Sequence, residues 1–346
     1  MLIVGGPVPS PEHHRVGHPE RPGRVEAAMA GIDDLHLDED VEVVPGQAAP
    51  LDRLALVHPP AFLQELAAFC GAGGGDLDPD TYSTPQSFEA ARRVVGAGLA
   101  AIDRLKVLQA GVAFVAARPP GHHALADRAM GFCLLNAVAV GAASLVAEGE
   151  RVLIVDWDVH HGNGTQAIFW NDPSVLYVST HQWPLYPGTG AAREIGGADA
   201  LELTVNVPLG PGATGDALRR GIDELAGPAV DAFGPTWVLV SAGFDAHRDD
   251  PLADFALSSG DFAELAKTVQ GFVPRPGRLA LFLEGGYDLL AVRGSVAATL
   301  GELLGAPYDA EDPTSDDRSG AMVERARAER VRAIRSAEEL EREGPG

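Results

Sequence analysis

Val152-Leu-Ile-Val-Asp-Trp-Asp-Val-His-His-Gly-Asn-Gly-Thr165 begins with four apolar residues and ends in a loop crowded with acids, histidines and glycines. Val152 to Val155 reads as a short strand buried on both faces. Asp156, Asp158 and His160 follow at every second position. Alternate side chains share a face in extended backbone, so these three are expected to converge at the strand's exit. Gly162 and Gly164 end the extended run, and Thr165 is placed to cap a helix starting at Gln166. Two carboxylates and an imidazole form a ligand set for a divalent metal. The plain alternative is a surface turn with solvated acids. It would leave five polar residues extending a buried strand with no role, at a real desolvation cost.

The same pattern recurs on either side of this stretch. Val112 to Ala116 is a strand leading into Arg118-Pro-Pro-Gly-His-His-Ala124. Ser174 to Val178 leads into Ser179-Thr-His181, Trp237 to Val240 into Ser241-Ala-Gly-Phe-Asp-Ala-His247, and Leu279 to Leu283 into Glu284-Gly-Gly-Tyr-Asp288. Helical stretches lie between them at Phe132 to Val146, Gly215 to Ala226 and Asp261 to Gly271, with earlier ones at Val25 to Ile32, Ala61 to Phe69 and Phe88 to Leu105. Strand, loaded loop and helix in repetition predict an α/β domain, a mainly parallel sheet with helices on both faces. Sites in such sheets form at the carboxyl ends of the strands, where the reactive residue types sit here.

Composition sets the class. Of 346 residues, 46% are hydrophobic and 22% charged, which is a folded rather than a disordered balance. A net charge of -23 disfavours nucleic acid and anionic membrane and suits a cationic substrate. Cys70 and Cys133 are too few for a disulfide framework. No apolar run approaches the roughly 20 residues that span a bilayer. The start, Met1-Leu-Ile-Val, lacks a basic flank and meets Gly5, Gly6 and Pro7, so no leader is expected there. A soluble, cytoplasmic protein is the expectation. One domain is expected over 1–305. Residues 306–346 read as an acidic linker and a helix from Met322 to Glu341, striped by Val331, Ile334, Ala337 and Leu340. Whether that helix packs on the domain or on a partner subunit is open, and so is an oligomer. His13, His14 and His18 lie in a Pro- and Arg-rich loop whose spacing fits no ligand pattern, so a solvated or rim loop is expected. Gly71 to Asp80 lacks the Lys and Ser/Thr of a phosphate loop.

The chemistry follows from what the strand ends carry. The tandem His122-His123 is lifted from its strand by Pro119, Pro120 and Gly121, with Asp156 and Asn163 as nearest partners. A carboxylate accepting from an imidazole fixes its tautomer and raises its basicity. Asp245, after Gly243, would complete an Asp-His-Asp set with Asp158 and His160, leaving a coordination position open as catalytic sites do. Tyr287 follows Gly285-Gly286, whose missing side chains let the phenol approach, and would donate to a developing oxyanion. Activated water, a histidine base and a phenolic donor describe hydrolysis of an amide or ester. No serine elbow is present to support a covalent route.

Arg118-Pro-Pro-Gly-His-His-Ala124, Gly131-Phe-Cys-Leu-Leu-Asn136, Asp156-Trp-Asp-Val-His-His-Gly-Asn-Gly-Thr165, Gly243-Phe-Asp-Ala-His247 and Glu284-Gly-Gly-Tyr287 resemble the motif set of the histone deacetylase family. The likeness runs from about His18 to Leu304 and leans to the class II and bacterial branch, with acetylpolyamine amidohydrolases and acetoin utilization proteins. It implies an arginase–deacetylase fold and zinc on Asp158, His160 and Asp245, with ferrous iron as the other ion the set accepts. It implies His122 and His123 as the acid/base pair backed by Asp156 and Asn163, and Tyr287 polarising an acetyl carbonyl. It makes Gly131, Phe132 and Tyr186 walls of a tunnel, puts Asp80 at the rim, and places Leu252 and Gly285 with them among the substrate-binding residues. Arg24 falls near an internal acetate exit. Potassium would use Asp156, Asp158, His160, Ser179 and Thr180. Ala137 stands where relatives carry a second Asn. Leu252 stands where the polyamine-selective branch carries a glutamate, which weakens a polyamine assignment. The implied activity is deacylation of an acetylated lysine or polyamine. The rivals are an arginase-like two-manganese hydrolase and a non-enzymatic acyl-lysine or metabolite-binding module.

Overall fold

The computed structural model describes residues 1–343. Eight parallel strands form one sheet: β1 (Leu2–Val8), β2 (Val41–Val44), β5 (Val112–Ala117), β6 (Val152–Asp156), β7 (Val175–Gln182), β8 (Thr204–Leu209), β9 (Trp237–Ala242) and β10 (Leu279–Leu283). A small antiparallel ribbon, β3 (Gly75–Asp76) with β4 (Tyr82–Ser83), stands apart. The sheet order is β2-β1-β5-β10-β9-β6-β7-β8. Strands β5, β10, β9 and β6 are therefore neighbours although far apart in sequence. Their carboxyl ends carry His122 and His123, Tyr287, Asp245, and Asp158 with His160, which is how the topology assembles one site.

Alternation along each strand divides the apolar residues between two cores. Val112, Phe114, Leu153, Val155, Val238 and Val240 face the helices Gly23–Asp33, Ser259–Gln270 and Leu289–Leu304. Ala113, Val115, Val152, Ile154, Trp237 and Leu239 face Pro60–Gly71, Ser87–Leu108 and Ala137–Val146. With both faces covered, the parallel sheet is buried throughout.

Several expected boundaries move for local reasons. Strand β7 continues to Gln182, because Ser179, Thr180 and His181 pair with Asn206, Val207 and Pro208 of β8 instead of looping. The helix expected from Phe132 starts at Ala137, where the Asn136 side chain caps it by accepting from the Ala139 N–H at 3.0 Å. Gly131 and Phe132 cannot join it, having φ of +58° and +66°. The stretch from Gly215 breaks into Gly215–Gly221, a wide turn Ile222–Ala226 and Gly227–Phe233. Thr165 is not a cap. It lies inside the helix Asn163–Phe169, with its hydroxyl 3.0 Å from Asn136 Nδ2. His13 is buried, not solvated, with Nδ1 2.6 Å from Ser87 Oγ.

The tail is tied down. Glu311 accepts from the Ser259 N–H at 2.9 Å, and the Thr314 hydroxyl donates to Asp261 at 2.7 Å. The helix Ser319–Glu343 buries Val323 and Ala326. Its Arg330 reaches the backbone oxygens of Thr204 and Glu202 on the outer edge of β8 and the turn before it. The helix thus packs on its own domain. The Leu340 side chain and residues 344–346 lie outside the described residues. No described helix is long and apolar enough to cross a membrane.

One buried histidine gives the fold a pH signature. His58 Nδ1 donates to the Ala126 carbonyl at 2.9 Å while Nε2 accepts from the Asn136 N–H at 3.0 Å. Both nitrogens are used by the neutral ring, so a second proton would break the Asn136 bond. Burial lowers the pKa to about 4. The unfolded chain takes up the proton near pH 6.5, before the folded protein does. The contribution is therefore complete above pH 6.5 and is lost as pH falls toward 4, on the order of 3 kcal/mol. Urea midpoints measured across pH 4–7 are expected to fall on the acid side, and less steeply in His58→Asn.

Candidate active site

Asp158, His160 and Asp245 place one donor atom each within 4.8 Å of one another. The expected convergence occurs, although not in extended backbone: β6 ends at Asp156, and the next residues turn. The Asp158 N–H donates to Asp156 at 3.2 Å and the His160 N–H to Asp158 at 2.9 Å. Asp156 consequently points away from the cluster, toward His122 and Tyr177. His160 Nδ1 lies 3.3 Å from Asp158 Oδ1 and 3.1 Å from Asp245 Oδ2.

The electrostatics of this cluster call for a cation. Both carboxylates are buried, and among the described residues no Lys or Arg side chain pairs with either. Burial, then the Asp158 charge, pushes Asp245 up to about 7. Burial would lower His160, but Asp158 and Asp245 outweigh it and raise the ring to about 10. Two facing buried carboxylates are held at a cost that a divalent ion removes. The backbone leaves space on the same side, since a Cβ at Gly243 or Gly285 would collide with the carboxylate oxygens of Asp158 and Asp245. The donor set and the cradle fit a metal. His160 is 12% exposed, so the cluster opens on that side.

Above it stand the paired histidines, in two different environments. His122 Nδ1 lies 3.1 Å from Asp156 Oδ2, and the Tyr177 hydroxyl donates to the same oxygen at 3.1 Å. Burial opposes charge on His122, yet Asp158 and Asp156 overcome it and raise the ring to about 10. His123 Nδ1 lies 2.8 Å from Asn163 Oδ1, a neutral acceptor. Burial and the neighbouring His122 and His160 hold His123 well below the usual histidine value. One ring is thus tuned to carry charge, the other to stay neutral.

A cavity of about 200 Å³ leads to these groups, lined by Asp80, His123, Gly131, Phe132, His160, Leu185, Tyr186, Leu252 and Tyr287. It is smaller than the about 300–1,000 Å³ usual for ligand pockets, so it suits a slender group. Phe132 meets the Tyr287 ring edge-on at 5.8 Å, and Tyr186 meets His123 likewise at 5.1 Å. Burial keeps the Tyr287 phenol protonated far above its ordinary value. Its backbone N–H donates to Asp250 at 2.7 Å, and the Arg24 guanidinium lies 4.9 Å over its ring. Arg24 is itself buried and bonds the carbonyls of Glu284 and Gly286. Ser179 pairs with Asp156 across β6 and β7, and the Thr180 hydroxyl is buried without a hydrogen-bond partner among the described residues.

Sequence reading missed several participants. The Thr81 hydroxyl accepts from the Phe132 N–H at 3.0 Å and donates to Asp80 at 2.9 Å, joining the rim acid to the tunnel wall. His18, in the loop already expected at the rim, packs edge-on against Phe132 at 4.6 Å. One carboxylate oxygen of Glu284 accepts from the N–H groups of Gly121 and His122 at 2.6 and 3.1 Å, holding the histidine turn.

Residues 18–303 match the family model described as a histone deacetylase domain. The chain is 38% identical over 320 residues to the histone deacetylase-like amidohydrolase of Pseudomonas aeruginosa, a match covering 91% of this chain and 84% of that one. It is 39% identical to a probable deacetylase of Methanothermobacter thermautotrophicus, covering 90% and 93%. Among solved structures, the crystal structure of the HDA15 HD domain superposes with a TM-score of 0.87 at 32% identity, over 97% of this chain and 95% of that one. The architecture is the arginase–deacetylase fold.

Proposed function

The chain belongs to the histone deacetylase family and is a hydrolase of the deacetylase type; on that premise we propose that it is a zinc-dependent deacylase, cleaving the acetyl or short acyl amide of a lysine side chain or a polyamine. The observation that carries this reading is the geometry of the histidine pair beside the Asp158, His160 and Asp245 cluster: His122 Nδ1 faces the Asp156 carboxylate and His123 Nδ1 the neutral Asn163 Oδ1.

Asp158, His160 and Asp245 would hold the ion, and a divalent cation there supplies a Lewis acid that polarises the acyl carbonyl and acidifies water. The set suits zinc and also accepts ferrous iron. His123 does the proton work. Asn163 takes its Nδ1–H, which leaves the Nε2 lone pair to accept a proton from the attacking water and pass it to the departing amine nitrogen. His122, whose Nδ1 faces the Asp156 carboxylate, stabilises the negative charge that builds up beside it. Tyr287 donates its hydroxyl hydrogen to the oxyanion. Phe132, Tyr186 and Leu252 line the aliphatic tether and exclude water, and Asp80 at the rim accepts from a substrate N–H or pairs with a distal ammonium. Potassium would sit beside the cluster on Asp156, Asp158, His160, Ser179 and Thr180, partly through backbone oxygens.

The test is turnover of an acetyl-lysine peptide, its propionyl analogue, acetylputrescine and acetylspermidine, with and without a zinc-chelating hydroxamate. Hydroxamate-sensitive cleavage of any member supports the reading, and the ranking separates lysine from polyamine substrates. No cleavage by folded, zinc-loaded protein favours the binding module. Thr81 supplies a second check. Thr81→Val strands the Phe132 N–H and frees Asp80, so KM for the peptide is expected to rise about tenfold with kcat little changed, while Thr81→Ser stays near wild type. Equal kinetics in all three proteins would remove Thr81 from the rim.

A further inference from the structure

Behind the histidine pair lies a second group of ligand-type side chains. His122, Cys133 and Glu284 place one donor atom each within 4.8 Å of one another, and all three are buried, at 2%, 0% and 1% exposure. They arrive from three directions: the turn after β5, the Gly131–Asn136 turn, and the end of β10. Among the described residues no Lys or Arg side chain pairs with the Glu284 carboxylate. Its one bonded oxygen accepts from the Gly121 and His122 N–H groups. His122 spends Nδ1 on Asp156, so Nε2 is the nitrogen left to coordinate once it gives up its proton. Thiol, carboxylate and imidazole together make a softer set than the two carboxylates and imidazole of the first cluster. Tetrahedral coordination to such ligands puts donor atoms about 3.4 Å apart, so side-chain movements of roughly 1 Å close the set.

We propose that His122, Cys133 and Glu284 form a second divalent-cation site, selective for thiophilic ions such as Zn²⁺ and Cd²⁺, whose occupation arrests turnover. Binding displaces the Cys133 thiol proton and the His122 Nε2 proton to solvent and forms metal–sulfur and metal–nitrogen bonds, with no change of oxidation state. It also occupies His122 Nε2, so the ring no longer presents an N–H to the reacting atoms. His122 Nε2 is 3.8 Å from Asp158 Oδ1, so the second ion sits directly beside the first cluster. The inhibitory consequence rests on the acid/base reading given above. The binding itself does not.

Cadmium distinguishes the two sites, because only the second offers sulfur. Titration of the full chain with Cd²⁺ is expected to give two equivalents by elemental analysis. The ultraviolet thiolate-to-cadmium charge-transfer band should track one of them, and cleavage of an acetyl-lysine peptide should fall at least tenfold as that band grows. Cys133→Ala should bind one equivalent, show no band, and keep basal turnover that excess ion does not suppress. Cys133→Ser provides the same test with side-chain size retained. Cys70→Ala, which removes the chain's other cysteine, should leave the band intact. A single silent equivalent in the wild-type protein, or a band surviving in Cys133→Ala, overturns the second site. Two equivalents with the band but no turnover on any acyl amide would uphold the site and count against the deacylase reading instead.

Discussion

Tyr287→Phe is expected to lower turnover by about 10²–10³-fold while leaving metal content and fold unchanged. The ring is held by contacts that phenylalanine retains: the Phe132 edge at 5.8 Å, the Arg24 guanidinium at 4.9 Å, and the backbone N–H on Asp250 at 2.7 Å. Only the hydroxyl is removed, and burial keeps that hydroxyl a donor at every working pH. The loss should appear in kcat and kcat/KM alike, since an oxyanion donor acts in the transition state and not on the bound amide. Full activity in this variant would end the assigned role.

Asp245→Ala is expected to empty the metal site. The two remaining groups, Asp158 and His160, would have to hold the ion without the second carboxylate. Elemental analysis should find metal falling from about one ion per chain to a small fraction. Turnover should fall by more than the about 10–100-fold typical of changes outside the ligand set. Asp245 also accepts from the Val159 N–H at 2.9 Å, and stranding that donor costs about 1–3 kcal/mol of stability. Asp245→Asn separates the two effects, because its amide oxygen keeps the Val159 bond while the charge is gone. Unchanged metal content in a folded Asn variant would remove Asp245 from the ligands.

The parts of the fold legible in the sequence were those whose physics is local. Leu279 to Leu283 and Val152 to Val155 announce themselves because a parallel strand covered on both faces is apolar throughout. The outer strands carry no such mark. Thr204-Val-Asn-Val-Pro-Leu209 mixes polar residues and a proline into β8, which lies at the edge of the sheet. The reactive residues were legible because they follow strands within a few positions, and the spacing of Asp158 and His160 showed that they meet. It misjudged how, since turns rather than extended backbone bring them together. The supporting residues were illegible because their partners are remote in sequence. Thr81 serves Phe132 across 51 positions and Glu284 serves Gly121 across 163, distances over which no periodicity speaks.

The central claim is that hydrolysis depends on an ion held by Asp158, His160 and Asp245. It is tested most directly by stripping the protein with a chelator, confirming that it stays folded, and measuring acetyl-lysine peptide cleavage before and after one equivalent of Zn²⁺ is returned. The account predicts that cleavage vanishes on stripping and returns with the single equivalent in the wild-type chain, but not in Asp245→Asn. Undiminished cleavage by the stripped, folded protein would contradict it.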